Sequence, residues 1–393
     1  MQNYRRRQLL KGFGASLGAG LLAPASLATA AAQSDRILVA VELSGGNDGL
    51  NSIVPYADDA YYQARPTLGL KPNTLLKMDD HFAMNPGMLG LHKLWQRGQL
   101  AVVHGCGYDQ PSYSHFTSMA YLHSGVPHRG DEFGWMGRLA DAMAPSRQDN
   151  MLINVAATQS LAVTSRVHTP VVFDDPSRFQ RDRWQAELLT QRHAPAAFEN
   201  ANHQFLHAVD QSAARSAASV RAAWSAYQTP VDYGIAPIDL PKVAACIAAG
   251  LPTQLYYVSF RNNAFDTHVA QPNLHRRLLS YASDGIYGFI QDLDRLGLTN
   301  RVLVMVFSEF GRRVGENANQ GSDHGTANVM MFAGGGVNGG HYGKPPSLTD
   351  LKDDNLVHTT DFRRVYATAI EGWLGVPAAQ VLHDNFAPLP VFA

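Results

Sequence analysis

The hydrophobic positions of this chain fall into short apolar runs that end abruptly in polar residues. The run from Val302 to Phe307 is unbroken, rich in β-branched residues and too short for a typical helix. Such a run is typical of a strand buried on both faces, as in a parallel sheet. Further strands are predicted at residues 36–43, 100–104, 254–260 and 329–332, and weaker ones at 152–156 and 161–164.

Segments with helical spacing of apolar residues separate these runs. The longest extends from Leu274 to Leu296 and is followed by Gly297, a residue typical of a helix end. Other helices are predicted at residues 89–97, from 112–114 onward, from 133 onward and at 361–374. Alternating strands and helices predict an α/β fold with a doubly wound, mostly parallel sheet. Residues 176–248, with Ala-rich helical spacing and a Pro-containing exit, are predicted to form a helical insertion or cap.

The first 32 residues are typical of an export signal. Arg5, Arg6 and Arg7 precede a mildly apolar stretch, and small-residue cleavage patterns follow at 28–32. We therefore predict a twin-arginine signal peptide over 1–32 and a mature domain over 33–393. The expected partner during export is the twin-arginine translocase, and the expected location is periplasmic or extracellular. The mature chain has no stretch that is long and apolar enough to be predicted as a transmembrane segment.

Composition narrows the possible functions. The chain has 393 residues, 45% hydrophobic and 17% charged, which suits a large globular core. Its net charge is −1 and no basic stripe follows the leader, so nucleic acid is not an expected partner. Sixteen histidines permit metal chemistry. Cys106 and Cys246 could form one disulfide in an oxidising compartment, but the sequence does not decide this.

Polar side chains with catalytic or metal-binding potential follow the predicted strands. In chain order they are Asp48, the hydroxyls of Ser112 and Ser114, the pair Asp266 and His268, Glu309, and the pair Asp323 and His324. Each has an alternative explanation as a turn residue, a helix cap or a surface ion pair. Parallel strands, however, end at the same edge of a sheet, where open α/β sheets bind ligands. The 323–324 pair reaches that edge if its loop stays there or if the strand 329–332 is antiparallel.

The collected residue types predict a metal centre. Carboxylates and imidazoles bind divalent ions, and Zn, Mn, Mg or Ca are all candidates here. A hydroxyl at a helix N-terminus is well placed to act as a nucleophile, because the free N–H groups there stabilise an anion. Together these features predict metal-dependent hydrolysis.

Seven motifs, in order, resemble the DUF1501 family. They are the twin-arginine leader, LSGGNDGLN, SYSHF, FGWMGRL, FDTH, FSEFGR and SDHGTANVMMFAGGG. These exported bacterial proteins are related to the alkaline phosphatase and sulfatase superfamily. The resemblance implies an alkaline-phosphatase-like fold across residues 35–390 and a site with two metal ions.

The resemblance also assigns roles to individual residues. It implies that Asp48 is a metal ligand after the first strand and that Ser114 lies in the nucleophile region, with Ser112 and Thr117 as alternatives. Asp266, His268 and His324 resemble the ligands of one metal site, and Glu309 stands where the superfamily has Asp. Phe310 replaces the histidine of the superfamily's Asp-His pair, so one imidazole is absent, and Asp323 is a candidate substitute ligand.

Two hypotheses follow from the sequence. In the first, the protein is an exported metal-dependent hydrolase of phosphate or sulfate esters, with a small-molecule or polysaccharide ester as substrate. In the second, it is a catalytically lapsed relative that binds an envelope ligand or a co-exported partner. Bound metal in the purified protein would favour the first hypothesis.

Overall fold

The structure, a computed structural model, describes residues 35–180 and 201–392, so the predicted signal peptide lies outside the described residues. The strands in these ranges, in chain order, are β1 Ile37–Glu42, β2 Ile53–Val54, β3 Leu76–Lys77, β4 Ala83–Met84, β5 Leu100–Gly107, β6 Leu152–Val155, β7 Val171–Phe173, β8 Leu255–Ser259, β9 Val302–Phe307, β10 Asn328–Ala333, β11 Gly340–Tyr342, β12 Leu351–Lys352, β13 Asn355–Leu356 and β14 Thr360–Asp361.

Nine of the described strands form one central sheet. Its order is β11-β5-β10-β9-β1-β8-β6-β7, and β14 pairs with the end of β5. Every pairing in this sheet is parallel except those of β10, which runs antiparallel to both β5 and β9. The predicted mostly parallel sheet is confirmed. Because β10 is antiparallel, the residues that precede it lie at the C-terminal ends of its neighbours β9 and β5.

Helices cover both faces of the sheet. They are α1 Gly49–Ser52, α2 Asp59–Ala64, α3 Leu89–Gln96, α4 His115–Ser124, α5 Trp135–Met143, α6 Ala201–Ala226, α7 Leu240–Ala248, α8 Gln271–Arg295, α9 Phe362–Ala367 and α10 Ala378–Leu382. Short 3-10 turns lie at Pro72–Thr74, Leu161–Val163, Pro176–Arg178 and Thr299–Arg301, and a π-helical turn at Thr368–Trp373 follows α9. None of the helices in the described ranges is both long and apolar enough to span a membrane.

The strands are apolar on both sides because each face packs against a separate core. Val39 and Val41 of β1 face a core shared with α3, α7 and α8, whereas Leu38 and Ala40 face a core shared with α5, α9 and α10. This arrangement explains the unbroken apolar runs, since a strand covered on both faces has no polar side. Cys106 lies in one core and Cys246 in the other, and both are free thiols.

One predicted strand differs from the structure. Residues 161–164 were expected as a strand, but Leu161–Val163 form a 3-10 turn in which the Ser160 hydroxyl accepts a bond from Ala162 N at 3.1 Å. The start of α5 packs directly on this turn, which leaves no room for a paired strand: a Cβ at Gly134 would lie 2.0 Å from Leu161 O. Between β7 and β8, the described part of the predicted insertion is helical in α6 and α7.

Candidate metal centre

Four chain segments meet at one edge of the central sheet. The loops after β1, β8 and β9 leave adjacent parallel strands, and α4 begins shortly after β5, which ends at the same edge. Asp266 and His268 lie on the loop after β8, and His324 precedes the antiparallel β10. The sheet thus brings together residues that are far apart in the sequence.

Asp266, His268 and His324 form a triangle of potential ligand atoms. His268 Nε2 lies 2.9 Å from His324 Nε2, and each of these nitrogens lies 3.1 Å from Asp266 Oδ1. Ligand atoms bound to one ion at about 2 Å lie within about 4 Å of one another. The three side chains therefore fit a single divalent ion, and their role as ligands stays a prediction.

The outer hydrogen bonds of these two histidines determine which ring nitrogen carries the hydrogen. His324 Nδ1 lies 2.7 Å from the carbonyl oxygen of Tyr113, and His268 Nδ1 lies 3.1 Å from Asp323 Oδ1. Both oxygens accept, so in the neutral rings Nδ1 donates and Nε2 presents a lone pair. Two lone pairs and a carboxylate oxygen then face one another, which is unfavourable without a cation between them. This pattern of outer partners is typical of metal-bound histidines.

His115, at the start of α4, supplies a third imidazole that the sequence analysis missed. Its Nδ1 lies 2.7 Å from Glu309 Oε1, and its Nε2 is buried, has no hydrogen-bond partner among the described residues and lies 3.3 Å from Asp266 Oδ2. Ligand atoms of His115, Asp266 and His324 all lie within 4.8 Å of one another. The ring also packs against Phe310, with centroids 4.9 Å apart. His115 thus supplies an imidazole next to Phe310, the residue that replaces the histidine expected from the family resemblance.

Glu309 and Asp323 lie behind histidines rather than beside the predicted ion. Glu309 is fully buried and bonds His115 Nδ1, Gly45 N and Ser308 Oγ. Asp323 is half-exposed and bonds His268 Nδ1 and Asn317 Nδ2, both through Oδ1. The group of ligand atoms that lie within 4.8 Å of one another, from His115, Asp266 and His324, includes neither carboxylate, and the prediction that both are direct ligands stays a prediction. Both carboxylates orient the imidazoles that face Asp266.

Asp48 lies outside this cluster, contrary to the prediction that it converges with the others. Its Oδ2 accepts a bond of 2.7 Å from Arg65 Nη1 and one of 2.5 Å from Gln271 Nε2, and its Oδ1 accepts from Asn51 N at the start of α1. The Arg65–Asp48 pair is almost completely buried. Both oxygens of the carboxylate therefore already accept hydrogen bonds within the protein, and the buried guanidinium neutralises its charge.

Ser114 is the N-cap residue of α4, directly beside His115. It is exposed and its hydroxyl makes no capping bond, whereas its N–H donates to Ser112 Oγ at 3.2 Å. Ser118 Oγ donates to Ser112 O, which fixes the turn before the helix. The structure places Ser112, Ser114 and Thr117 all within the turn that carries His115, and it does not select one of them as the nucleophile.

Arg312 controls the charge of Asp266. Its buried guanidinium donates to Asp266 Oδ1 at 2.8 Å and to the carbonyl oxygens of Gly46 and Ser322, which belong to two neighbouring loops. Burial raises the pKa of Asp266, but the Arg312 and His324 hydrogen bonds outweigh this and lower the pKa to about 2. The hydrogen bond that His115 Nδ1 donates to Glu309 raises the pKa of His115, and burial lowers the pKa of His324. Asp266 is therefore ionised at neutral pH.

Gly45 brings the loop after β1 into direct contact with the loop that carries Asp266. Its φ is +118°, and a Cβ there would lie 2.5 Å from Asp266 N and 2.6 Å from Asn263 O. We expect Gly45→Ala to lower the free energy of unfolding by about 2–4 kcal/mol, because backbone strain adds to a clash with rigid backbone. Urea denaturation would measure this loss.

Gly98→Ala is the matched control, because Gly98 also has a positive φ (+69°) but a Cβ there meets nothing within 4 Å. It should cost about 1 kcal/mol from strain alone. Equal losses in the two variants would show that the contact between Gly45 and the Asp266 loop is unimportant.

The chain resembles several solved structures at low sequence identity. None of the curated proteins matches it. A phosphonate monoester hydrolase from Silicibacter pomeroyi is 12% identical, with 90% of this chain and 76% of that chain covered and a TM-score of 0.38. A sulfatase from a Pseudoalteromonas species is 13% identical, with 90% and 73% covered and a TM-score of 0.39. A protein in the alkaline phosphatase superfamily from Vibrio parahaemolyticus is 9% identical, with 90% and 71% covered and a TM-score of 0.41.

A protein-family model matches most of the chain. The model of the family described as "Protein of unknown function (DUF1501)" matches residues 35–371, the region that contains the whole central sheet and every residue of the candidate metal centre. The chain therefore belongs to the DUF1501 family.

Proposed function

We propose that this protein is an exported, metal-dependent hydrolase of phosphate or sulfate esters. The observation that carries the proposal is the convergence of three imidazole Nε2 atoms on the Asp266 carboxylate, each with its Nδ1 hydrogen-bonded to an acceptor. Three imidazoles and one carboxylate favour Zn²⁺ over Mg²⁺ or Ca²⁺, which prefer oxygen ligands. The proposal of export rests on Arg6, Arg7 and the small-residue cleavage pattern in the leader.

His115, Asp266, His268 and His324 are the residues proposed to hold the ion. A bound divalent ion would stabilise negative charge on an ester oxygen and lower the pKa of a nearby hydroxyl. Such a cation would attract an anionic ester to a cluster that contains the carboxylates of Asp266 and Glu309, both of which lie against His115. Arg312 keeps Asp266 ionised, and Glu309 and Asp323 hold two of the rings in orientation.

Ser114 is the proposed nucleophile, with Ser112 and Thr117 as alternatives. Its hydroxyl oxygen would lose its proton and form a bond to phosphorus or sulfur while the bond to the alcohol breaks, and the departing alcohol would take up a proton. Water would then cleave the new ester, release phosphate or sulfate and restore the serine. The first N–H groups of α4 have no acceptor within the helix, so they suit the charge of the transferred group.

A second candidate function is ligand binding without turnover. It is favoured by the Arg312 hydrogen bond to Asp266 Oδ1, the same oxygen that faces both histidines. It is also favoured by the complete use of Asp48, which leaves a place for one ion rather than two. Such a protein would bind an envelope ligand or a co-exported partner.

The test combines metal content with hydrolysis of p-nitrophenyl phosphate and p-nitrophenyl sulfate by the zinc-loaded protein. We expect close to one equivalent of metal and measurable turnover of one substrate. Ser114→Ala should lower kcat on the order of 100-fold or more, because a covalent step is lost. Ser112→Ala and Thr117→Ala identify the nucleophile if Ser114 is not it.

Ser280→Ala is the control, because that hydroxyl is exposed on α8 and bonds only Arg277 O. It should leave turnover unchanged. A metal-loaded protein that hydrolyses neither ester would support the binding function, and a protein that binds no metal would refute both the metal centre and the hydrolase.

A further inference from the structure

Exposed hydrophobic side chains are concentrated beside the candidate metal centre. Six large hydrophobic side chains in the described ranges are exposed, namely Leu89, Tyr113, Phe116, Ile235, Val269 and Val357. Tyr113, Phe116 and Val269 lie within two positions of a proposed metal ligand in the sequence. Single exposed hydrophobic residues are normal on a protein surface, but three on the two segments that form one site indicate a binding role. We call these three residues the apolar rim.

The connectivity of the chain places the apolar rim close to the site. Consecutive Cα atoms are about 3.8 Å apart, so the Cα atom of Phe116 lies within about 8 Å of that of Ser114. For the same reason the Cα atom of Val269 lies within about 4 Å of that of His268. Phe116 is 88% exposed and Val269 is 60% exposed, so neither side chain is covered by the rest of the described chain.

Tyr113 is held at the same place by two hydrogen bonds. Its carbonyl oxygen accepts from His324 Nδ1 at 2.7 Å, and its hydroxyl accepts from Asn355 Nδ2 at 3.2 Å. The residue is nevertheless 43% exposed. A side chain that is already fixed loses little conformational freedom when a ligand packs against it, so this ring is prepared for binding.

The proposed anion site determines which part of an ester would reach the apolar rim. The ion proposed at Asp266 and the free N–H groups at the start of α4 would bind the anionic group. The first turn of α4 contains no acidic residue that would repel it. The alcohol group of the ester must then extend away from the ion on the exposed side of Ser114, where the apolar rim lies.

We propose that the ester bound at this centre carries an apolar alcohol group, preferably an aromatic one, that packs against Tyr113, Phe116 and Val269. This assignment rests on the proposed function, because the metal centre supplies the anion site. The two aromatic side chains would contact a ligand ring by stacked or edge-to-face packing. A sugar fits less well, since Phe116 and Val269 offer no hydrogen-bonding group to its hydroxyls.

Phenylphosphonate and methylphosphonate are suitable probes, because their P–C bonds resist hydrolysis and binding can be measured without turnover. Calorimetry on the zinc-loaded full mature chain should show that phenylphosphonate binds about tenfold more tightly, because its ring buries apolar surface. Phe116→Ser should reduce this preference about two- to tenfold, the effect of one aromatic pair. Benzenesulfonate and methanesulfonate provide the same comparison for sulfate esters.

Ile235→Ser is the matched control, because Ile235 is 91% exposed and lies away from the centre. The adjacent Gly234 packs against Asp284, which is about 20 Å along α8 from its start at Gln271. The control should keep the native preference for phenylphosphonate. Neither substitution should lower thermal stability measurably, since both side chains are exposed.

Four results would overturn the proposal. They are equal or absent binding of the two phosphonates, a preference that Phe116→Ser leaves unchanged, tighter binding of glucosylmethylphosphonate than of phenylphosphonate, and a change of oligomeric state in Phe116→Ser without a change in preference. The third result would indicate a sugar ester, and the fourth an interface between copies of this chain.

The proposed function fails in a different way. A zinc-loaded protein that shows the expected preference but hydrolyses no ester would keep the apolar subsite and exclude the hydrolase. A protein that hydrolyses esters without the preference would keep the hydrolase and exclude the subsite. A protein that binds no zinc would exclude both.

Discussion

Replacing His268 with alanine is expected to weaken zinc binding on the order of 100-fold or more. Loss of a residue that only orients a metal ligand typically costs 10–100-fold in affinity, and His268 presents a nitrogen directly to Asp266 and His324. The fold should change little. His268 is one-third exposed, and Asn317 still holds both its backbone carbonyl and Asp323.

The measurement is metal content after gel filtration, followed by competition with a chromophoric chelator. His92→Ala is the control. His92 is on α3, its ring bonds Lys77 O, and it is distant in the sequence from the residues of the cluster. We expect His92→Ala to keep native affinity. If His268→Ala also retains one tightly bound ion, His268 is not a ligand, and the ion would be held by His115, Asp266 and His324.

Arg65→Met is expected to lower the free energy of unfolding by about 3–5 kcal/mol at pH 7, because it leaves the Asp48 carboxylate charged and buried without its partner. It also removes the Arg65 bonds to Arg313 O, Val314 O and Asn51 Oδ1. Urea denaturation should show this loss. Arg277→Met, at an exposed position on α8, should change stability by less than about 0.5 kcal/mol.

The dependence on pH separates the charge effect from lost packing. Burial raises the pKa of Asp48, but Arg65 outweighs it, so the folded-state pKa is lowered. In the native protein this group stabilises the fold above its unfolded pKa of about 3.9, and the contribution is lost as pH falls through the folded pKa. Without Arg65, burial should raise the pKa, so the deficit of Arg65→Met should shrink between pH 7 and pH 5.

The double variant Asp48→Asn/Arg65→Met should recover part of the lost stability, because no buried charge remains. It should also bind metal like the native protein, since Asp48 lies outside the cluster. A deficit that is independent of pH, or a double variant no more stable than Arg65→Met, would show that the Arg65 packing and carbonyl bonds outweigh the ion pair.

The sequence predicted the edge of the sheet where the site lies because strand ends are local features. The apolar run of β9 and the polar residues after it are adjacent in the chain, and the spacing of Asp266 and His268 is visible directly. The direction of β10 was left open, because a short apolar run does not determine whether its neighbours are parallel.

The partners of individual side chains could not be predicted in the same way. His115 was overlooked beside Ser114, since its approach to Asp266 depends on how α4 packs against the loops after β8 and β9. Asp48 has the right position after β1, but Arg65 lies 17 positions away in a polar segment with no distinctive pattern. Glu309 lies at the end of β9, as predicted. Its hydrogen bonds to Gly45 N and His115 Nδ1 depend on the tertiary packing, so the sequence could not predict them.

The contact between the start of α4 and His324 has a consequence for how the chain is held together. Tyr113 O and His324 Nδ1 are hydrogen-bonded although the two residues are 211 positions apart in the sequence. His115, close to Tyr113 in the chain, would share an ion with His324. An ion at this point would therefore act as a cross-link that closes a very long loop, and long loops gain most from such closure. If the ion binds only the folded chain, excess metal would also stabilise the folded state by mass action. The metal centre would thus stabilise the central sheet by linking the start of α4 to the segment before β10, whether or not it also catalyses a reaction.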